Sequence, residues 1–345
     1  MCGEDVSRLL VQYMSSIFSY SFLRNYFEWI KTWKSLPVIS WVRAAECYKE
    51  EKFALAAELY EKGLASHPFH EASYCARLDL AHCYFKEGRY EDAKQELKGM
   101  INLIPELKEA YVRLARIHIW LGEYLEAVWT MRRALREIKP DGELVGIFLG
   151  AVLDNGGPGY LLDEAREAYR KLSDKEKQNE KLIVSAIKLE IYKGDYQKGR
   201  SKLSSLASGA HAPFDAVLAY GEVLLREGRI SIARQHLRRA LQAAPNHPKV
   251  LTLFASSYLK SGPYYNPDYA KQLATSACQN SNWSSPEALH ILAESYKALD
   301  DRVTALATAL RAKEAGSKLL SNYRDVKTIE ELIKALSQSN PNRIP

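Results

Sequence analysis

Five residues of metal-binding type, His67, His70, Cys75, His82 and Cys83, fall within 17 positions of one another. Cys75 and His82 are seven apart, which places them on one face of a helix, with Asp79 near that face. Thiolates and imidazoles in tetrahedral array suit zinc. Their spacing matches no zinc motif, however, and isolated Cys and His residues commonly serve packing instead. No metal ligand and no cofactor is therefore assigned. The sequence has no phosphate loop, no dinucleotide glycine fingerprint, no HExxH and no GxSxG. Asn155-Gly156-Gly157-Pro158-Gly159 lacks the Lys-Ser/Thr that a phosphate loop requires and reads as a connection between helices. No catalytic residue is assigned, and the expectation is a protein that is not an enzyme.

The elements that would position any binding residue are most legible in Ala212–Pro245. Its 34 residues hold two short amphipathic stretches around Glu227-Gly228-Arg229. Ala216, Ala219, Tyr220, Gly221 and Leu224 form one apolar stripe at helical spacing, and Ala233, Leu237, Ala240 and Leu241 form the next. Gly228 can close the first helix in the left-handed conformation, and Pro245 cannot continue the second. Ser35–Pro68, Ala72–Pro105 and Glu106–Lys139 have the same length and pattern. Small residues recur in each first helix (Ala44, Ala81, Ala115, Gly221) and each second helix (Ala56, Ala93, Ala127, Gly199, Ala233). The turns carry Glu51, Gly88, Gly122, Gly194 and Gly228, and Phe53, Tyr90, Tyr124 and Tyr196 follow two residues later. Gly142–Asp174 fits with a stretched turn at 154–159, Asn179–Ala212 returns to register, and His247–Asn282 has an elongated turn, Ser261–Pro267. Ser285–Gly316 ends the series.

These residues resemble the tetratricopeptide repeat (TPR) family, whose small, aromatic, glycine and proline positions recur every 34 residues. The resemblance covers roughly residues 37–316. It implies an all-α, right-handed superhelical solenoid of about eight hairpins, because no hairpin can bury its apolar stripe alone. Residues 317–345 then form a closing helix and a frayed tail. Residues 1–36 hold Tyr13, Phe18, Tyr20, Phe22, Tyr26, Phe27, Trp29 and Trp33. They read as a helical cap or, alternatively, as a peripheral membrane anchor.

The family is mostly a protein-interaction scaffold, with the first helix of each pair lining a concave groove. Spacing of three to four residues points Trp41, Ala45 and Tyr48 into that groove, then Leu78, Asp79, His82 and Phe85, then Val112, Arg113, Arg116 and Ile119. An aromatic and aliphatic floor with two arginines at one side suits a peptide carrying an acidic group. The alternative is that Trp41, Tyr48 and Phe85 pack between helices. Some family members clamp acidic chaperone tails with Lys and Asn on the first inner helix. Here Trp41 and Ala45 stand there, and only Arg113 suits, so that function is not carried over.

Composition narrows the remaining classes. Net charge is +6, from 48 basic and 42 acidic residues spread along the chain, which does not argue for nucleic acid. The five cysteines are odd in number and widely spaced, as free thiols in a reducing compartment would be. The longest uncharged run, Leu9 to Leu23, is too short to span a bilayer, which takes about 20 residues. The expectation is a cytoplasmic, bacterial scaffold or adaptor binding a protein or peptide partner, with oligomeric state open. The alternatives are a membrane-associated assembly factor anchored by residues 1–36, with peripheral membrane contact there, and a regulatory subunit of a larger enzyme complex.

Overall fold

The computed structural model describes residues 37–68, 73–156, 159–209, 211–317 and 326–338. Among the described residues every regular element is helical. The first three helix pairs are α1 (Pro37–Lys49) and α2 (Phe53–Ser66), α3 (Ser73–Lys86) and α4 (Tyr90–Leu103), α5 (Lys108–Leu121) and α6 (Tyr124–Glu137). Next come α7 (Gly142–Asp154) and α8 (Gly159–Lys171), then, after a 3-10 turn at Glu176–Gln178, α9 (Glu180–Lys193) and α10 (Tyr196–Ser208). The last three pairs are α11 (Phe214–Arg226) and α12 (Ile230–Ala243), α13 (Pro248–Tyr258) and α14 (Pro267–Asn280), α15 (Pro286–Ala298) and α16 (Arg302–Ser317). A final helix, α17 (Val326–Gln338), follows. The described chain is therefore eight successive helix pairs and one further helix, as the 34-residue period predicts. Residues 1–36, which carry the cap-or-anchor expectation, and the tail at 339–345 lie outside the described residues.

One turn geometry explains why the pairs repeat. At the end of α3, Gly88 donates to the Phe85 carbonyl at 3.2 Å and Arg89 donates to the Tyr84 carbonyl at 2.8 Å. Gly88 has φ +75°, the left-handed conformation that this pair of bonds requires. The same two bonds recur at Gly122-Glu123, Gly194-Asp195 and Gly228-Arg229. Glu51 takes the corresponding place after α1 with φ +59°, although it carries a Cβ.

The small residues of the pattern sit at helix crossings. Ala44, Ala56, Ala93, Ala127 and Ala233 have no solvent exposure. A Cβ on Gly221 would stand 3.0 Å from Leu237 Cδ2. Such close approaches let each pair bury its stripe against the next, which is where a repeat array gains its stability.

The chain forms two compact units, dividing at Ile117 and His118 within α5. In the first unit α1 packs on α2, α2 on α3, and α3 on α4. In the second, α8 and α9 both pack on α7, and the succession continues from α9 to α17. Ile329, Leu332 and Leu336 of α17 are buried, with Leu332 and Leu336 packing against Ala293, Ala305 and Ala309.

Candidate partner-binding groove

In the first unit, residues one period apart on successive inner helices meet side by side. Tyr48 of α1 and His82 of α3 are hydrogen bonded through the phenol oxygen and Nδ1, and are 34 residues apart. Asp79 and Arg113 stand at the same spacing, with Nη1 and Oδ1 3.7 Å apart. Around Tyr48 and His82 runs a chain of rings. Tyr48 meets Phe53 edge-on at 5.7 Å between centroids, His82 stacks on Phe85 at 6.4 Å, and Phe85 meets Tyr90 at 5.6 Å. Lys86 Nζ lies 5.7 Å from the centre of the Phe53 ring. Tyr48, His82 and Phe85 are half-buried, so one side of this chain faces outward. Burial, reinforced by the Arg113 and Lys86 charges, lowers the His82 imidazole to about 4, and the ring is neutral at physiological pH. Burial raises the Asp79 carboxyl, against the opposing pull of Arg113 and of the Tyr60 hydroxyl that donates to it at 3.3 Å.

The expected groove residues divide by burial and by unit. Tyr48, His82, Phe85 and Arg113 are half-buried on this face, and Arg116 is exposed. Trp41, Leu78 and Val112 are 0, 2 and 1% exposed and pack inside the first unit. Trp41 is enclosed because residue 63 is glycine: a Cβ there would sit 2.4 Å from the indole Nε1. These three residues are corrected from groove floor to core. Ile119 is half-buried in the second unit. Arg113 is already engaged. Its Nε donates to Glu109 Oε1 at 2.7 Å and its Nη1 to the Leu78 carbonyl at 2.7 Å. It therefore offers an incoming carboxylate the Nη2 edge and not a two-pronged fork.

The inner helices of the second unit use the same spacing for charge. Asp154 on α7, Lys188 on α9 and Glu222 on α11 succeed one another every 34 residues. Lys188 Nζ lies 2.9 Å and Lys249 Nζ 3.1 Å from Asp154 Oδ1. Lys249 also reaches Glu222 at 3.7 Å, and Arg226 reaches Glu222 at 2.5 Å. Lys181 and Asp215, again 34 apart, pair at 2.6 Å. Burial alone would raise both acids. The Lys188 and Lys249 ammoniums outweigh it and hold Asp154 well below the usual carboxylate range, while Lys249 and Arg226 bring Glu222 to about 2. Lys249 is raised well above its ordinary value, because Asp154 and Glu222 overcome its own burial.

Next to Lys249, His247 lies between Trp120, at 4.8 Å, and Phe214, at 5.3 Å, and burial lowers it to about 4. Two hydrogen bonds hold the start of this unit to the turn between α14 and α15. Trp120 Nε1 donates to the Asn280 carbonyl at 2.9 Å, and Ser284 Oγ donates to the Leu121 carbonyl at 2.8 Å. Asp154, Lys188, Glu222 and Lys249 on this inner face are thus paired with charges of the same unit. Glu222, which the pattern of its own repeat does not single out, is part of this network. Comparing equal positions across repeats, Asp154, Lys188 and Glu222, is the signal that finds it.

The residues of metal-binding type are turned to other uses. Cys75 and Cys83 are buried, burial pushes the Cys83 thiol up to about 12, and His82 is taken by Tyr48. Among the described residues no group of three His, Cys, Asp or Glu side chains is arranged to hold a metal ion. His70 lies outside them.

Residues 48–106 and residues 214–257 each match a family model described as tetratricopeptide repeat. No curated protein matches the chain. Similar solved structures include a complex of the TPR2AB domain of yeast Sti1 with a pHSP90. That match has 14% identity and a TM-score of 0.32, and covers 88% of this chain and 98% of the other. A tetratricopeptide repeat protein from Parabacteroides merdae matches at 11% identity with a TM-score of 0.42, over 87% of this chain and 98% of the other.

Proposed function

The chain is a tetratricopeptide-repeat protein, and from that premise we propose that it is a non-enzymatic scaffold that holds a segment of a partner protein against the inner face of its first unit. The observation that carries this reading is the contrast between two inner faces. In the second unit the face is filled by ion pairs between its own helices. In the first unit it presents the half-buried rings of Tyr48, His82 and Phe85, with Arg116 exposed. Rigid aromatic rings beside arginine are the side chains most enriched where partner binding is concentrated. The partner segment lays apolar side chains on these rings and sets an acidic group against Arg116 and the Nη2 edge of Arg113.

Among the described residues no helix is long and apolar enough to cross a membrane. Residues 1–36, on which the alternative of a membrane anchor rests, lie outside the described residues.

The test is a comparative capture from cell extract, with the intact chain and two variants as baits and quantitative mass spectrometry as the readout. Arg113→Glu/Arg116→Glu reverses the charge of the face. Phe85→Ser removes one ring while leaving the Arg113–Asp79 pair in place. Both variants are expected to lose at least one protein that the wild type enriches, by about tenfold or more. Capture of every protein unchanged by both variants rejects this face as the binding site.

A further inference from the structure

The turn between α13 and α14, residues 259–266, is longer than the glycine turns at Gly88, Gly122, Gly194 and Gly228. Its base is fixed. Asn266 donates its N–H to the Tyr258 carbonyl at 2.9 Å, and its side chain accepts from Tyr269 N at 3.0 Å, capping α14. Gly262, at φ +136°, makes the bend. Three tyrosines stand out from this region, with Tyr264 40%, Tyr265 50% and Tyr269 39% exposed.

Beneath Tyr264 lies Arg234 of α12, 7% exposed. Its Nη1 donates to Ser257 Oγ at 2.9 Å and its Nη2 to the Tyr258 hydroxyl at 2.8 Å. Its guanidinium carbon is 4.0 Å from the centre of the Tyr258 ring, 4.4 Å from Tyr264 and 5.0 Å from Phe254. No carboxylate among the described residues pairs with it. A buried cation normally has an anionic partner, and ring faces and hydroxyls offset only part of its lost hydration. Arg238, one turn further on the same face of α12, is exposed and makes no ion pair among the described residues. The nearby acid Asp268 is in the first turn of α14, where the helix N-terminus already favours it.

We propose that this tyrosine-covered turn is a second docking surface, and that its occupant is an acidic segment of a protein partner. Charge complementarity selects that occupant. Carboxylates meet Arg238 and compensate Arg234, while apolar parts of the segment lie on Tyr265 and Tyr269. Tyrosine and arginine together supply large contact area and directed charge, the combination found at the centres of protein interfaces. The proposal rests on the reading of the chain as a protein-binding scaffold, but uses a different unit and different residues.

The probe is a fluorescein-labelled decaglutamate peptide, with decalysine as control, titrated by fluorescence anisotropy against the full chain. Arg238→Glu/Tyr265→Ser changes two exposed side chains and is expected to keep the wild-type Tm while weakening decaglutamate binding by about tenfold or more. Tyr265→Phe keeps the ring and is expected to retain binding. Arg113→Glu/Arg116→Glu, which disables the first-unit face, is expected to retain decaglutamate binding at this turn, and the two variants above are compared in that background. Failure of the wild type to bind decaglutamate better than decalysine overturns the proposal. So does binding unaffected by Arg238→Glu/Tyr265→Ser. Loss with Arg113→Glu/Arg116→Glu alone also overturns it, while leaving the first-unit groove standing.

Discussion

Lys249→Met is expected to lower the unfolding free energy of the second unit by about 3 kcal/mol, measured by urea denaturation of the full chain. Methionine keeps most of the side-chain volume, so the change isolates the charge. Lys249 reaches two carboxylates, Asp154 at 3.1 Å and Glu222 at 3.7 Å, and the three side chains are only 13 to 15% exposed. Removing one ion of a buried set leaves the others without compensation, which costs far more than losing an exposed pair. Asp154 keeps Lys188 and Glu222 keeps Arg226, which holds the loss near the lower end of the range for such deletions.

The companion variant Asp154→Asn/Lys249→Met removes charge of both signs. It is expected to be less destabilised than the sum of its single changes, by about 1–2 kcal/mol. The same acids set an acid limb. Both have folded pKa values below those of the unfolded chain, so their contribution is complete above roughly pH 5. It drains as pH falls through the unfolded pKa near 4 toward the folded value of about 2 at Glu222. Asp154→Asn/Lys249→Met is expected to flatten this limb. A loss under about 1 kcal/mol in Lys249→Met would mean that solvent screens the network as it does an exposed pair.

Gly146→Leu is expected to cost the second unit about 3 kcal/mol, and Gly146→Ala about 1 kcal/mol, in the same assay. Gly146 lies mid-way along α7, where α9 crosses. A Cβ there would stand 2.8 Å from Leu182 N and 3.0 Å from both Leu182 Cα and the Lys181 carbonyl carbon, all of them backbone atoms. Ser185 Oγ donates to the Gly146 carbonyl at 2.9 Å, which holds the crossing in place. In an unobstructed helix, Gly→Ala would stabilise by about 1 kcal/mol through helix propensity. Here the backbone clash must overcome that gain, so the sign of the alanine variant is itself diagnostic. An alanine variant more stable than wild type would show that α7 and α9 separate at little cost.

The helix pairs were legible because the features that define them are local. Gly88, the small residues at Ala44 and Ala81, and the aromatics Phe53, Tyr90, Tyr124 and Tyr196 that follow four of the turns are each fixed by residues close in sequence, and each has its own physical reason. Partner-facing and buried positions are harder to separate. Trp41 and Tyr48 lie on one helix stripe, yet Gly63 encloses the first while the second remains half-buried. That difference depends on the opposing helix and not on helical spacing. Arg113 shows the same limit, since Glu109 and the Leu78 carbonyl engage it before any partner arrives. The Asp154–Lys188–Glu222 ladder was present in the sequence, but only to a comparison of equal positions in successive repeats. Gly146 stands in the least regular pair, whose stretched turn breaks the 34-residue register that marks close-approach positions in the other repeats.

Contact between a partner and the inner face of the first unit can be read by hydrogen–deuterium exchange of the full chain, alone and with a protein enriched in the capture experiment. Slower exchange on binding is expected in segments 45–53, 79–90 and 109–116, around Tyr48, His82, Phe85, Arg113 and Arg116. Protection absent from all three segments, with the bound partner slowing exchange only elsewhere, would contradict the assignment of this face as the binding site.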